Sequence, residues 1–120
     1  MSKQQGFAAE SFVTRALEKD GFTILERNYT SRQGEIDLIA LKNDILVFVE
    51  VKQRTKSYFD LSELITPSKQ KKIILTAKEF LTSRDYTNTV HRFDVALIEG
   101  ALSAPKLTYI PNAFVEEHRV

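Results

Sequence analysis

The pattern of apolar positions along the chain changes period several times, which predicts a mixture of helices and strands. Near the start, apolar residues recur at the i, i+3, i+4, i+7, i+8 spacing of one helix face. These residues are Ala9, Phe12, Val13, Ala16 and Leu17. Gly21 follows them and is predicted to be the C-cap. The pattern therefore predicts an amphipathic first helix.

Three strand-like segments come next, rich in Ile, Leu, Val and Phe. They are "FTILERNYT" (22–30), "GEIDLIAL" (34–41) and "ILVFVEVKQ" (45–53). The turn-forming residues Asn43 and Asp44 separate the second from the third. These segments predict consecutive strands, with a hairpin turn between the last two.

A second helix is predicted over 67–84, after a loop over 54–65. Thr66 is predicted to be its N-cap, and Pro67 occupies the first helical position, where its missing N–H costs nothing. The apolar face of this helix contains Ile73, Ile74, Ala77, Phe80 and Leu81.

Two late strands, 91–100 and 106–110, complete the predicted order α-β-β-β-α-β-β. We expect one domain over 1–120, an α/β domain with a mixed β-sheet flanked by helices. The second helix would be the crossover between two parallel strands.

Four charged residues interrupt the apolar hairpin: Glu35, Asp37, Glu50 and Lys52. If Asn43–Asp44 is a two-residue turn, Lys42 pairs with Ile45. Asp37 then falls opposite Glu50. Glu35 falls opposite Lys52, and all four side chains share one sheet face, because side chains alternate along strands. A longer turn would shift this register.

Two facing carboxylates repel each other, and burial adds a desolvation cost. A divalent cation would offset both effects, and oxygen ligands suit Mg²⁺ or Mn²⁺. Lys52 beside such a site could orient a water or neutralise charge on a phosphate. The alternative is a structural salt bridge between Lys52 and either Glu35 or Glu50.

The same residues carry a family resemblance. Asp37, followed after twelve residues by Glu50-Val51-Lys52, resembles the signature of the PD-(D/E)xK nuclease superfamily, with Ile36 where the superfamily name has Pro. More closely, the chain resembles the YraN family, bacterial proteins predicted to be endonucleases and similar to archaeal Holliday-junction resolvases. The motifs that carry this likeness are "RN" (27–28), "GEIDLIA", "FVEVKQR", "SKQKK" (68–72), "RFDV" (92–95) and "NAF" (112–114).

The resemblance implies a restriction-endonuclease-like fold and a Mg²⁺- or Mn²⁺-dependent endonuclease acting on nucleic acid, with branched or single-stranded DNA as candidate substrates. It implies that Asp37, Glu50 and the Val51 carbonyl bind the metal. It also implies that Lys52 is the catalytic lysine and that Glu10 is an additional acidic residue of the site. A resolvase acting on a symmetric junction would need a homodimer.

Helical geometry adds three candidates. Glu10 lies about 90° from the centre of the first helix's apolar stripe, taking about 100° per residue, so its side chain could turn toward a cleft or remain on the surface. Lys69 and Gln70 lie at the inner N-terminal end of the crossover helix, where polar residues often face a site at the rim of a sheet. The alternative is that both only solvate the helix end. Asn28 is interpreted as a structural residue of a turn or strand end. We expect Asp94 to pair with a cation or cap a backbone group.

Composition narrows the classes of function. The chain contains no cysteine, which excludes disulfides, thiolate metal sites and a Cys nucleophile. The N-terminal segment has no signal-peptide pattern and no apolar run is long enough for a membrane span, so we expect a cytoplasmic protein without a membrane partner. The net charge is only +1. This leaves open a catalytically silent nucleic-acid-binding module or a protein-interaction scaffold.

Overall fold

The computed structural model describes residues 3–54, 64–101 and 103–116. The described elements follow the predicted order α-β-β-β-α-β-β. They are α1 (Lys3–Lys19), β1 (Thr23–Ser31), β2 (Gly34–Lys42), β3 (Ile45–Arg54), α2 (Pro67–Thr82), β4 (Val90–Glu99) and β5 (Lys106–Phe114).

α1 ends, and α2 begins, at the residues that the sequence indicated. Gly21, with a φ of 96°, follows α1, and the N–H of Phe22 donates to the carbonyl of Leu17 to close the helix end. At the start of α2, the Thr66 hydroxyl accepts a hydrogen bond from the N–H of Lys69 at 3.2 Å. Within the described residues, neither helix combines the length and apolarity that crossing a membrane requires.

The five strands form one sheet in the order β1-β2-β3-β4-β5. Neighbouring strands are antiparallel except for β3 and β4, which are parallel and joined through α2. The predicted mixed sheet and its crossover are therefore confirmed. Each face is covered by a helix over its own core, since side chains alternate between the faces.

The core under α1 is formed mainly by small and branched side chains: Ala9, Val13, Leu17, Phe22, Leu38, Ala40, Val47, Val49, Val51, Ala96 and Ile98. The core under α2 contains more aromatic rings. It consists of Ile36, Ile39, Leu46, Phe48, Ile65, Ile73, Ala77, Phe80, Val95 and Phe114. The Phe80 ring meets the edges of Tyr29 and Phe48 at centroid distances of 5.3 and 6.0 Å. These packed layers fix α1 and α2 on opposite sides of β2 and β3.

Some predicted boundaries were wrong. β5 continues to Phe114 rather than ending at residue 110, because Pro111 lies in an edge strand, where a missing N–H is tolerated. α2 ends at Thr82 instead of 84, and Arg54 belongs to β3 rather than to the following loop. Residues 55–63 of that predicted loop lie outside the described residues.

Candidate metal centre

The hairpin of β2 and β3 has the predicted register over five residue pairs. The ladder runs from Lys42 opposite Ile45 to Leu38 opposite Val49, which confirms the two-residue turn. Beyond Val49, the described pairing of β3 is with β4 alone. Before Leu38, β2 pairs with β1 alone. The two strands therefore separate at the position where Asp37 and Glu50 would face each other.

The Asp37 side chain occupies the start of this gap. Its Oδ2 accepts a hydrogen bond from the backbone N–H of Val51 at 2.8 Å. A side-chain carboxylate thus replaces the strand carbonyl that a continued ladder would supply, and it satisfies an otherwise unpaired backbone donor. The contact anchors Asp37 between the two strands and directly beside Glu50.

Glu50 is the most deeply buried carboxylate of this site, with 6% of its surface exposed. Burial, reinforced by the negative charge of Asp37, raises the pKa of Glu50 to about 8. The positive charges of Lys69 and Lys52 act in the opposite direction. The Lys52 ammonium lies 3.8 Å from Glu50 Oε1, which is close enough for attraction but too far for a hydrogen bond.

Burial also raises the pKa of Asp37, and the nearby Glu35 carboxylate adds to the effect. The Val51 N–H, a hydrogen bond from the Glu50 carboxyl group and the Lys52 charge all oppose it. In the metal-free protein, burial therefore favours the protonated form at both carboxyl groups, and more strongly at Glu50. This is the behaviour of two carboxyl groups that cannot both ionise cheaply in one buried place.

α1 brings a third carboxyl group to the pair. Burial and the charge of Asp37 raise the pKa of Glu10. A hydrogen bond from the Asn28 side chain and the Arg27 charge act against this rise. Of the two orientations that helical geometry allowed for Glu10, the structure therefore has the one toward the carboxylate pair.

The two candidates at the start of α2 differ in placement. Lys69 lies close enough to Glu50 to act on its charge. Gln70 donates a hydrogen bond from its Nε2 to the carbonyl of Ile65 at 3.0 Å, which ties the helix start to the preceding residues. It also lines a surface cavity of about 420 Å³ with Leu75 and Val115. This placement accounts for Gln70 without a role in the site.

A single divalent cation fits the chemistry of the donor groups, since Asp37 and Glu50 supply oxygen ligands and share an excess negative charge. The Val51 carbonyl follows directly in the chain. Among the described residues, no cluster of three or more Asp, Glu, His or Cys side chains is close enough to hold a metal unaided. Water and substrate oxygens would have to complete the coordination, as is common for Mg²⁺.

Asp94 lies in a different environment. It is fully buried and accepts hydrogen bonds from Arg92 Nε and Nη2, the Tyr109 hydroxyl and the Asn112 N–H at 2.5–2.9 Å. The expectation that Asp94 pairs with a cation and caps a backbone group is therefore confirmed. This cluster of Arg92, Asp94, Tyr109 and Asn112 holds β4 and β5 together.

Asn28 was interpreted as a structural residue of a turn or strand end, but it lies inside β1 with its side chain beside Glu10. The sequence feature that could have indicated this contact is the "RN" pair in β1. The strand pattern alone does not show which face of β1 packs against α1, so the contact could not be predicted from it.

Comparison with known proteins identifies relatives along nearly the whole chain. Residues 9–98 match the uncharacterised protein family UPF0102. A UPF0102 protein of Clostridium perfringens is 40% identical over 94% of this chain and 95% of its own length. One of Hahella chejuensis is 43% identical over 91% and 88%, and one of Colwellia psychrerythraea is 40% identical over 94% and 90%. The chain therefore belongs to the UPF0102 family, the family of YraN.

Proposed function

We propose that the protein is a metal-dependent endonuclease of the PD-(D/E)xK superfamily. The observation that carries the proposal is the buried Asp37–Glu50 pair at the point where β2 and β3 separate. The domain maintains two carboxyl groups there, although burial raises the pKa of both and the charge of Asp37 raises that of Glu50 further. Strongly perturbed ionisable groups in one place are typical of functional sites.

Each residue has a definable role in this proposal. Asp37 and Glu50 would hold one Mg²⁺ or Mn²⁺, with the Val51 carbonyl as a further ligand. When bound, the metal would polarise the scissile phosphate and lower the pKa of a water. The Val51 N–H fixes the orientation of Asp37 through its 2.8 Å hydrogen bond, so this ligand is already oriented.

Lys52 would orient the attacking water or offset the charge that develops on the phosphate. Its side chain is 32% exposed, and its ammonium lies 3.8 Å from Glu50 Oε1. It can therefore reach both the carboxylate pair and a bound substrate. Lys69 would add a second positive charge on the α2 side of Glu50, and Glu10 would approach the pair from the α1 side.

The proposed substrate is DNA, with branched or single-stranded forms as the first candidates, and the proposed location is the cytoplasm. A symmetric four-way junction would require two copies of the site and hence a homodimer. The modest net charge of +1 argues for binding through a local basic surface rather than through the whole protein.

A cleavage panel tests the proposal. Duplex, single-stranded, flap and four-way DNA are incubated with the protein in Mg²⁺ or Mn²⁺ and resolved on denaturing gels. Asp37→Asn and Glu50→Gln should each lower the cleavage rate by roughly 1,000-fold or more, because a lost metal ligand removes several kcal/mol of transition-state stabilisation. Glu35→Gln is the matched control, since it removes an exposed carboxylate from the same strand and should retain activity.

Three outcomes would contradict the proposal. Salt-sensitive DNA binding without metal-dependent cleavage would identify a silent binding module. The absence of both DNA binding and manganese binding would favour a protein-interaction scaffold. Cleavage that persists in both site variants would come from a contaminating nuclease or from another part of the protein.

A further inference from the structure

Three non-glycine residues with a left-handed backbone occur in the described part of the chain, and all are asparagines. Asn28, Asn43 and Asn112 have φ angles of 52°, 54° and 52°. Asn43 forms the turn between β2 and β3. Asn112 donates its backbone N–H to Asp94 at a bulge of β5. Asn28 lies inside β1, so neither a turn nor an Asp94-type contact accounts for its conformation.

At the left-handed residue Asn28, the alternation of β1 side chains between the two sheet faces is interrupted. Arg27 points toward α1, because its Nη2 donates to Ser11 Oγ at 3.0 Å and its guanidinium lies 4.9 Å from the centre of the Phe7 ring. Tyr29 points toward α2 and packs against Phe80. In a regular strand, residues two apart share a face. The alternation of β1 side chains between the two faces therefore shifts by one residue at Asn28.

β2 reverses its facing at the matching position. Leu38, opposite Arg27, belongs to the core under α1, whereas Ile36, opposite Tyr29, belongs to the core under α2. Asp37 lies between these two residues. The distortions of both strands thus coincide where Asp37 leaves the regular sheet and accepts the Val51 N–H.

The side chain of Asn28 makes a second, separate contribution. Its amide lies beside the Glu10 carboxylate and opposes the rise in the Glu10 pKa. Glycine would adopt the same backbone more readily than any other residue. It would lack the amide, so a glycine at this position would keep the backbone conformation and remove only the side-chain contact with Glu10.

We infer that Asn28 is a positioning residue of the carboxylate site: its left-handed backbone sets the strand distortion at Asp37, and its amide holds Glu10 toward the pair. This inference rests on the proposed function. Asn28 touches neither metal nor substrate and acts through Glu10 and Asp37. Partners of this kind typically change metal affinity or activity by about 10- to 100-fold when they are lost.

Asn28→Gly separates the amide from the backbone, and Asn43→Gly is its matched control at nearly the same φ. The half-maximal Mn²⁺ concentration for DNA cleavage is measured for each variant, together with its denaturant midpoint. Asn28→Gly should raise the Mn²⁺ requirement about 10- to 100-fold, while its midpoint changes as little as that of Asn43→Gly. Saturating Mn²⁺ should restore part of the rate.

A double-variant comparison shows whether Asn28 acts through Glu10. In a Glu10→Ala background, Asn28→Gly should cause no further rise in the Mn²⁺ requirement, because the acceptor is already missing. An equal rise in both backgrounds would overturn the inference, and so would an Asn28→Gly variant that behaves as Asn43→Gly does.

These outcomes are distinct from failure of the proposed function. If the wild-type protein neither binds Mn²⁺ nor cleaves DNA, the nuclease proposal fails, and the positioning inference falls with it. If the wild type is active and Asn28→Gly is fully active at low Mn²⁺, the inference alone fails.

Discussion

Two buried acidic sites lie on adjacent strands of the sheet and have opposite electrostatic character. Asp94 of β4 is in register with Val49 of β3, one residue before Glu50. Asp94 is fully buried, yet four donor atoms contact its two oxygens, including two from Arg92. Glu50 is almost as buried, but its nearest lysine nitrogen is 3.8 Å away and its main neighbour is another carboxyl group.

The comparison shows how a buried charge that supports the fold differs from one that costs stability. The Asp94 hydrogen bonds raise the pKa of Arg92 and, together with burial, that of Tyr109, so the charged carboxylate and its donors stabilise one another. At Asp37 and Glu50 the domain provides incomplete compensation. A cation supplied from solution would complete it, which is why the second site is the candidate for function.

The largest expected loss of stability from a single substitution is at Asp94. Asp94→Asn should lower the free energy of unfolding by about 3 kcal/mol, because it leaves Arg92 without its charged partner and disrupts the Tyr109 and Asn112 contacts. Urea denaturation measures the change. A loss below about 1 kcal/mol would show that Asp94 is not the stabilising member of the pair of sites.

The pH dependence of stability should come from the other site. The folded-state pKa of Glu50, about 8, lies above its ordinary value of 4.5, so the folded protein retains a proton that the unfolded chain releases. Stability of the metal-free protein should therefore fall as pH rises from about 4.5 to 8 and level off above 8. Since one pKa unit corresponds to about 1.4 kcal/mol, the total fall is a few kcal/mol.

Urea midpoints at a series of pH values, in the presence of a chelator, measure this dependence. Glu50→Gln should remove most of it. A slope that survives the substitution would assign the titration to another group.

Manganese should stabilise the wild-type protein and not Glu50→Gln. A ligand that binds only the folded state adds about 2.7 kcal/mol at a free concentration one hundred times its Kd. Thermal melts with and without millimolar Mn²⁺ report the gain, and calorimetry reports the binding itself. An unchanged midpoint with no heat of binding would remove the metal site.

The smallest effect is the stability of the neutralised variants near pH 7. Metal-free Asp37→Asn should be as stable as the wild type or gain about 0.5–1 kcal/mol, the scale of cross-strand charge repulsion, and Glu50→Gln should gain at least as much, because its amide needs no bound proton to stay neutral in the buried site. If Lys52 instead formed a structural salt bridge with the pair, both variants would be less stable. Denaturant midpoints in chelator distinguish the two cases by sign.

The sequence predicted those parts of the molecule that follow from periodicity and turn chemistry. The hairpin turn at Asn43 fixed the register, and the register brought Asp37 to Glu50. Contacts that depend on packing between elements far apart in the sequence could not be predicted from it. Examples are the amide of Asn28 against Glu10 and the extension of β5 beyond Pro111. The helical pattern could not separate the role of Lys69 from that of Gln70. The Ile65 carbonyl that accepts the Gln70 hydrogen bond becomes a neighbour only in the folded chain.

The separation of β2 and β3 also bears on how the protein avoids self-association. A gap in a sheet leaves backbone N–H and C=O groups to which a foreign strand could pair, as at any open edge. Here the Asp37 carboxylate already occupies the Val51 N–H and places negative charge beside it. The residue proposed to bind the metal therefore also occupies the backbone donor that a foreign strand would need at this gap.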